Sequence, residues 1–178
     1  MSLLVLLVVS VALIGLYLSW TAGRLDRLHH RVQIARFALD AQLVRRSAVA
    51  LELATSGLVD PAASLLIAGA AHVAREADGD KREPAESDLS AALRAALDQP
   101  GQVEELRADC AGEALLAQLD GAAARVVMAR RFHNDVVRAT RAVRRKRHVR
   151  YLRLAGKAPE PASFECDDSP PACLARGL

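Results

Sequence analysis

Residues 2–23 contain no charged side chain, and the first charges after them are Arg24 and Asp26. Read as a helix at about 1.5 Å per residue, Leu3 to Trp20 reaches roughly 27 Å, close to the ~30 Å hydrocarbon core of a bilayer. Backbone amides in lipid must bond within their own segment, so a single span has to be helical. Tyr17 and Trp20 stand at its C-terminal end, where amphipathic rings favour the headgroup layer. The block is expected to be a retained membrane anchor. A cleaved signal peptide would carry basic residues ahead of its apolar stretch and a small-x-small site, and no Lys or Arg precedes Leu3. A buried helix of a soluble core ranks lower still, because the remaining chain is small and polar for enclosing it.

Basic residues give the block a direction. Arg24, Arg27, Arg31 and Arg36 follow it closely, with His29 and His30 among them. The positive-inside rule then places the N-terminus outside and the rest of the chain in the cytoplasm of a cell membrane crossed once.

Behind the block the composition points to helices. Of 178 residues 35 are alanine and 3% are aromatic, and strand-like runs of Val, Ile, Thr and Tyr are absent outside the block. The expected fold is all-α: a transmembrane helix continuous with an antiparallel helical bundle. Its parts would be an anchor at 1–23, a bundle at 24–155 and an extended or disordered tail at 156–178 with four of the seven prolines. Between Trp20 and Ser56 only Gly23 interrupts the helix formers, so span and first bundle helix should be one rod. Leu25, Leu28, Val32, Ala35, Leu39, Gln42, Arg46, Val49 and Leu53 step alternately by 3 and 4, a coiled-coil-like seam. Ser56-Gly57 should stop this helix, and Asp60-Pro61 should start a second running to about residue 77. A short helix is expected at 86–98 with Ser87 or Asp88 as cap, and a long one at 102–152. The seam of that last helix is Leu115, Leu119, Ala122, Val126, Ala129, His133, Val136, Thr140 and Val143.

Three segments carry a resemblance. Leu39-Asp40-Ala41-Gln42-Leu43-Val44-Arg45-Arg46 is similar to an Asp-x-Gln-Leu-x-Arg-Arg signature, Ala129-Arg130-Arg131-Phe132-His133-Asn134-Asp135-Val136-Val137 to an Ala-Arg-x-x-Tyr-Asn-x-x-Val signature, and Phe164-Glu165 to a closing Phe-Glu. With the uncharged anchor they resemble, in order and spacing, the LemA family of bacterial single-pass membrane proteins. His133 stands where that family has Tyr, Ser47–Thr55 lacks its Pro-Asn, and Arg144–Arg147 replaces a more neutral segment, so the chain would be a divergent member. The resemblance implies a helical bundle on one anchor and no established enzymatic reaction.

Two groups of residues stand out as interaction candidates. The first is Asp40, Gln42, Arg45 and Arg46, with Arg130, Arg131 and Asn134 on the last helix. These form either a binding groove or, ranked first, polar contacts between the two helices that fix register. The second is the stretch Arg125–Arg153, with eleven Lys or Arg and one acid, Asp135. Its densest part includes Arg144, Arg145, Lys146 and Arg147. A solvated helix end, contact with anionic lipid headgroups, and nucleic-acid binding compete for it in that order. Only Phe132 and Tyr151 lie near for base stacking.

Chemistry of other kinds finds little footing. No Cys, Asp or Glu stands at i+3 or i+4 of His133 or His148, Glu76 at i+4 of His72 is a single group and does not make a metal site, and no phosphate loop, HExxH or nucleophile elbow occurs. No cofactor and no catalytic residue are expected. Cys110, Cys166 and Cys173 are expected to be free thiols, Cys166–Cys173 closing a loop only if the topology is inverted. The expected function is that of a membrane-anchored interaction protein, a scaffold or accessory subunit with a protein partner. The alternative is a membrane-surface module that binds anionic lipid, or less readily nucleic acid, through the basic last helix.

Overall fold

The computed structural model describes residues 1–152, 158–172 and 174, apart from the side chain of His148. Arg153, the 155/156 domain boundary and Cys173 therefore lie outside the described residues. All regular structure among those described is helical, and the long apolar N-terminal helix packs against other helices in a bundle. The chain forms two compact units: Met1–Arg36 with Phe132–Ser163, and Phe37–Arg131 with Phe164–Leu178.

Helix α1 runs unbroken over Ser2–Thr55. No proline interrupts it, and its hydroxyls are satisfied locally. Ser10 Oγ donates to Leu6 O and Thr21 Oγ1 to Tyr17 O, both at 2.8 Å, so these polar groups sit in an apolar helix at little cost. It contains an 18-residue window of mean hydropathy 2.5, none of it buried, long and apolar enough to cross a membrane.

In the first unit, Leu25 and Ala35 of α1 are buried, as are His133, Asn134, Val137 and Thr140 of α5 (Cys110–Arg144). The short α6 (Arg147–Tyr151) adds the buried Val149.

In the second unit, α1 ends against Gly57, whose φ of +75° only glycine adopts freely. Asp60 then caps α2 (Pro61–Glu76), its Oδ2 accepting from the N–H groups of Ala62 at 2.9 Å and Ala63 at 3.3 Å. A 3₁₀ turn at Gly79–Lys81 leads into α3 (Arg82–Leu97), which pairs with α2, and α4 (Gln102–Ala108) follows. The main core gathers Val49, Leu53, Ile67, Leu89, Leu93, Leu106, Leu115 and Leu119, while Leu39, Leu43, Val126 and Phe164 form a second cluster. Since Leu39 and Leu43 meet Val126 while Val49 and Leu53 share a cluster with Leu115 and Leu119, α5 runs back along α1.

Three boundaries differ from the sequence reading. Helix α3 starts at Arg82, not near 86, because Pro84 falls in its first turn, where a missing N–H is no loss. The expected helix 102–152 is three helices. Asp109 is extended (φ −100°, ψ 130°) and caps α5, its Oδ1 accepting from Ala111 N at 2.8 Å and Gly112 N at 3.0 Å. The corner is tight: a Cβ on Gly112 would lie 2.2 Å from the Leu106 carbonyl oxygen. The second break follows Arg144.

Candidate interaction surfaces

Arg46 lies inside the second unit. It is 3% exposed, and its Nη2 donates to Glu86 Oε2 at 2.8 Å and to Glu86 O at 3.0 Å while Nη1 donates to Ser90 Oγ at 3.0 Å. Arg82 Nε reaches the other carboxylate oxygen, Glu86 Oε1, at 3.3 Å, and its Nη1 donates to Ala77 O. Glu86 is fully buried, so one carboxylate is shared by two guanidinium groups away from water. Such a cluster specifies register between α1 and α3 rather than presenting a surface. The expected groove therefore loses Arg46. Of its neighbours, Arg45 is exposed and Asp40 and Gln42 are half-buried.

Arg130 turns to the C-terminal segment. Its Nε and Nη2 hold the two oxygens of Asp168 at 2.8 and 3.0 Å, a bidentate pair, with Glu165 Oε2 at 3.7 Å from Nη1. The hydrogen bond that Arg130 donates to Asp168 raises the pKa of Arg130. One face of α3 supplies the rest of the seat. Glu83 Oε1 accepts from Glu165 N at 3.1 Å, Ser87 Oγ from Asp167 N at 3.0 Å and Asp98 Oδ1 from Ala172 N at 2.9 Å. Arg94 donates to Asp167 Oδ2 at 2.6 Å and to Ser169 O at 2.9 Å. Hydrogen bonds from Ser169, its backbone N–H first, and then from Arg94 hold the Asp167 carboxyl below its usual range. Phe164, 1% exposed, plugs the second core cluster. Cys166 beside it is a free, half-buried thiol whose pKa burial pushes up to about 11. The segment thus carries no helix, yet it is a packed part of the unit. The periodic patterns used to read the sequence missed it. Besides Phe164-Glu165, its trace in the sequence is a polar stripe at Glu83, Ser87 and Arg94 of α3 and at its C-cap Asp98.

In the first unit the end of α5 also holds the chain that follows. Arg141 Nε donates to Pro161 O at 2.8 Å, and Arg144 donates to Pro159 O and Ala158 O, each at 2.9 Å. His133, on the expected seam, is buried and donates from Nε2 to Ala162 O at 3.3 Å. Arg144 Nη1 also lies 3.0 Å from His29 Nε2; since a guanidinium only donates, His29 accepts there as the neutral ring. Burial first, then Arg144, lowers the His29 pKa. Asn134 is buried, Asp135 pairs with Arg138, and Arg131, Arg145, Lys146, Arg147 and Arg150 are exposed.

Apolar side chains are also exposed elsewhere among the described residues, Met128 and Phe132 of α5 among them. Leu65, Leu66, Gly69, Ala70, Ala91 and Ala95 line a shallow groove of about 500 Å³ between α2 and α3. The outward side of α1 carries Phe37 and Val44. Among the described residues, no three His, Cys, Asp or Glu side chains come together to hold a metal ion. No protein-family model matches the chain, and no curated protein matches it.

Proposed function

We propose that this chain is a membrane-anchored helical-bundle protein that works by interaction, as a scaffold or accessory subunit of a membrane-associated assembly. The wholly exposed apolar stretch at the start of α1 carries the reading. Burying one Leu or Val side chain is worth about 1.5–3 kcal/mol, so lipid cover over this many side chains amounts to tens of kcal/mol. Arg24 packs over the Trp20 ring at 5.7 Å, marking the headgroup end of the span. The arginines that follow put the bundle on the cytoplasmic side. Retention in membranes after alkaline washing, with a cytoplasm-dependent reporter active when fused after Leu178, is the expected result. Release by the wash, or a silent reporter, would refute anchor or orientation respectively. For the interaction itself, affinity isolation from detergent-solubilised membranes should retain a partner protein; nothing retained even at low salt would remove this reading.

The chain is also proposed as a divergent LemA-family member. Supporting this, the three resembling segments hold packing positions: Leu39, Leu43 and Arg46, then His133, Asn134 and Val137, then Phe164 are all buried. An experimental structure of a clear family member with the matching Phe outside the core would count against it.

A second reading, contact with anionic lipid, is favoured by one observation. His29 lies nine residues past Trp20, about 14 Å along the helix, and it meets Arg144. The exposed Arg145, Lys146 and Arg147 follow Arg144 directly, and the exposed Arg150 comes three residues later. Each basic residue near an anionic surface contributes about 1 kcal/mol, screened by salt. A fluorophore on Tyr151→Cys in nanodiscs should report headgroup contact with anionic lipid at low salt. Identical signals in neutral and anionic discs would sink the idea.

A further inference from the structure

We propose that the outward face of α1 pairs, parallel and in register, with the same face of a second copy of this chain in the membrane. This rests on the anchored reading above and names the partner it leaves open. A helix with one face in a core should be polar on the opposite side. Helix α1 turns Leu39, Leu43, Arg46, Ala50 and Leu53 inward, yet the side facing away holds Phe37, Ala41, Val44 and Ala48, all exposed. Phe37, one of three phenylalanines, is 73% exposed and Val44 45%. The steps between them are 4, 3 and 4, the a/d spacing of a coiled coil. Ile34, 53% exposed, precedes them at the right interval, and the same alternation runs back to Leu6, polar only at Arg27 and His30.

Anchoring selects the occupant. Copies held in one bilayer all point the same way and present the same residues at the same height. A heptad face can then meet its own copy without paying for orientation, at the high local concentration of a shared membrane. The flanking charges fit this pairing. In a parallel coiled coil each g position faces the e position five residues on in the other helix. With Phe37 and Val44 at d, Asp40 is g and Arg45 is e, so each Asp40 faces the other copy's Arg45, twice by symmetry.

Single-cysteine chains, with the native cysteines replaced by Ser, test this at full length in membranes. Under mild oxidation Ala41→Cys should give a disulfide-linked species of twice the chain mass. Its yield should be about tenfold or more that of Gln118→Cys or Ala91→Cys, exposed positions on α5 and α3. Adding Phe37→Glu should cut the yield by a similar factor, with helicity by circular dichroism unchanged because the site is exposed. Arg45→Asp should lower the yield, and Asp40→Arg added to it should restore it. A yield at Ala41→Cys equal to the controls, in membranes that retain the chain after alkaline washing, overturns the pairing and leaves the anchor standing. An adduct of any other mass in place of the doubled one overturns it too. If washing releases the chain, the anchor fails, and the same comparison on the released protein decides the pairing by itself.

Discussion

Replacing Glu86 by Gln removes one negative charge and almost no volume. In the native chain that carboxylate takes a 2.8 Å bond from Arg46 and a 3.3 Å bond from Arg82, with Glu86 itself fully buried. The bonds from Arg46 and Ser90 to the Glu86 backbone carbonyl, at 3.0 and 3.1 Å, survive the change. The amide, however, turns one donor group toward guanidinium donors and leaves the Arg46 charge uncompensated in the core. Breaking a buried pair in this way costs about 3–5 kcal/mol. For a chain of this size each kcal/mol moves the melting temperature by about 2–4 °C, so thermal unfolding followed at 222 nm should drop by roughly 6–20 °C. The double variant Arg46→Met, Glu86→Leu removes both charges and should recover most of the loss. Arg82 is then free to turn toward water on its aliphatic stem. A loss below about 1 kcal/mol for Glu86→Gln, or a double variant no more stable than the single one, would refute the claim that this cluster is desolvated and specifies the packing of α3 on α1.

Phe164→Ala should destabilise by about 3–5 kcal/mol in denaturant titration, because it empties the cluster with Leu39, Leu43 and Val126; a surface-like loss under 1 kcal/mol would mean the segment is not docked. Gly112→Ala drives a methyl into the Leu106 carbonyl, with 2.2 Å available, and should cost about 1–3 kcal/mol by the same assay, where a helix-interior glycine would normally gain from alanine. A Cys166 pKa of about 11 against an ordinary 9.0 leaves about a hundredfold less thiolate near neutral pH, so in single-cysteine chains Cys166 should alkylate about a hundredfold more slowly than the exposed Cys110, and equal rates would exclude its burial. The lowered pKa of His29 means the folded chain binds that proton less readily than the unfolded one. Its contribution is therefore complete above the unfolded value of 6.5 and fades as pH falls below it, and His29→Gln should flatten the stability profile between about pH 7 and 5.

How much of this could be read in advance depended on whether the signal was periodic. The seam positions Leu25, Ala35, Leu39, Val49 and Leu53 on the first helix, and Leu115, Leu119, Ala122, Val126 and Thr140 on the last, are buried, because amphipathic periodicity records which face turns inward. The capping at Asp60-Pro61 was legible for a local reason, a side chain within reach of the first free amides. The break at Asp109 was not. Its neighbours are all tolerable in a helix, and the corner is set by the approach of Gly112 to Leu106, which no spacing along the chain records. Arg46 shows the same limit. Its place on the seam and a polar contact between helices were legible, but not the partner: the carboxylate it meets is Glu86 of α3, forty residues away, rather than a residue of the last helix. The docking of 164–172 combines the Phe164 side chain and the Asp167 and Asp168 pairs with backbone N–H groups of Glu165, Asp167 and Ala172; apart from Phe164-Glu165 none of these follows a periodic pattern, and any residue but proline supplies an N–H.

The density of positive charge in the last helix also reads differently once partners are assigned. A lysine offers a point charge, whereas a guanidinium can bond two carbonyls at once with fixed geometry. Arg144 does this with Ala158 and Pro159, and Arg141 takes Pro161, so both serve as clamps on a proline-bearing segment whose carbonyls lack helical partners. Arg130 is neutralised by Asp168. Beyond Arg144, the exposed charge among the described residues is that of Arg145, Lys146, Arg147 and Arg150. Any attraction to a bilayer should therefore vanish on replacing these four with Gln, while Arg144→Gln should loosen the segment 158–161 and leave most of the attraction in place. If Arg144→Gln abolished lipid contact as fully as the four changes together, the division between clamping and exposed arginines would be wrong.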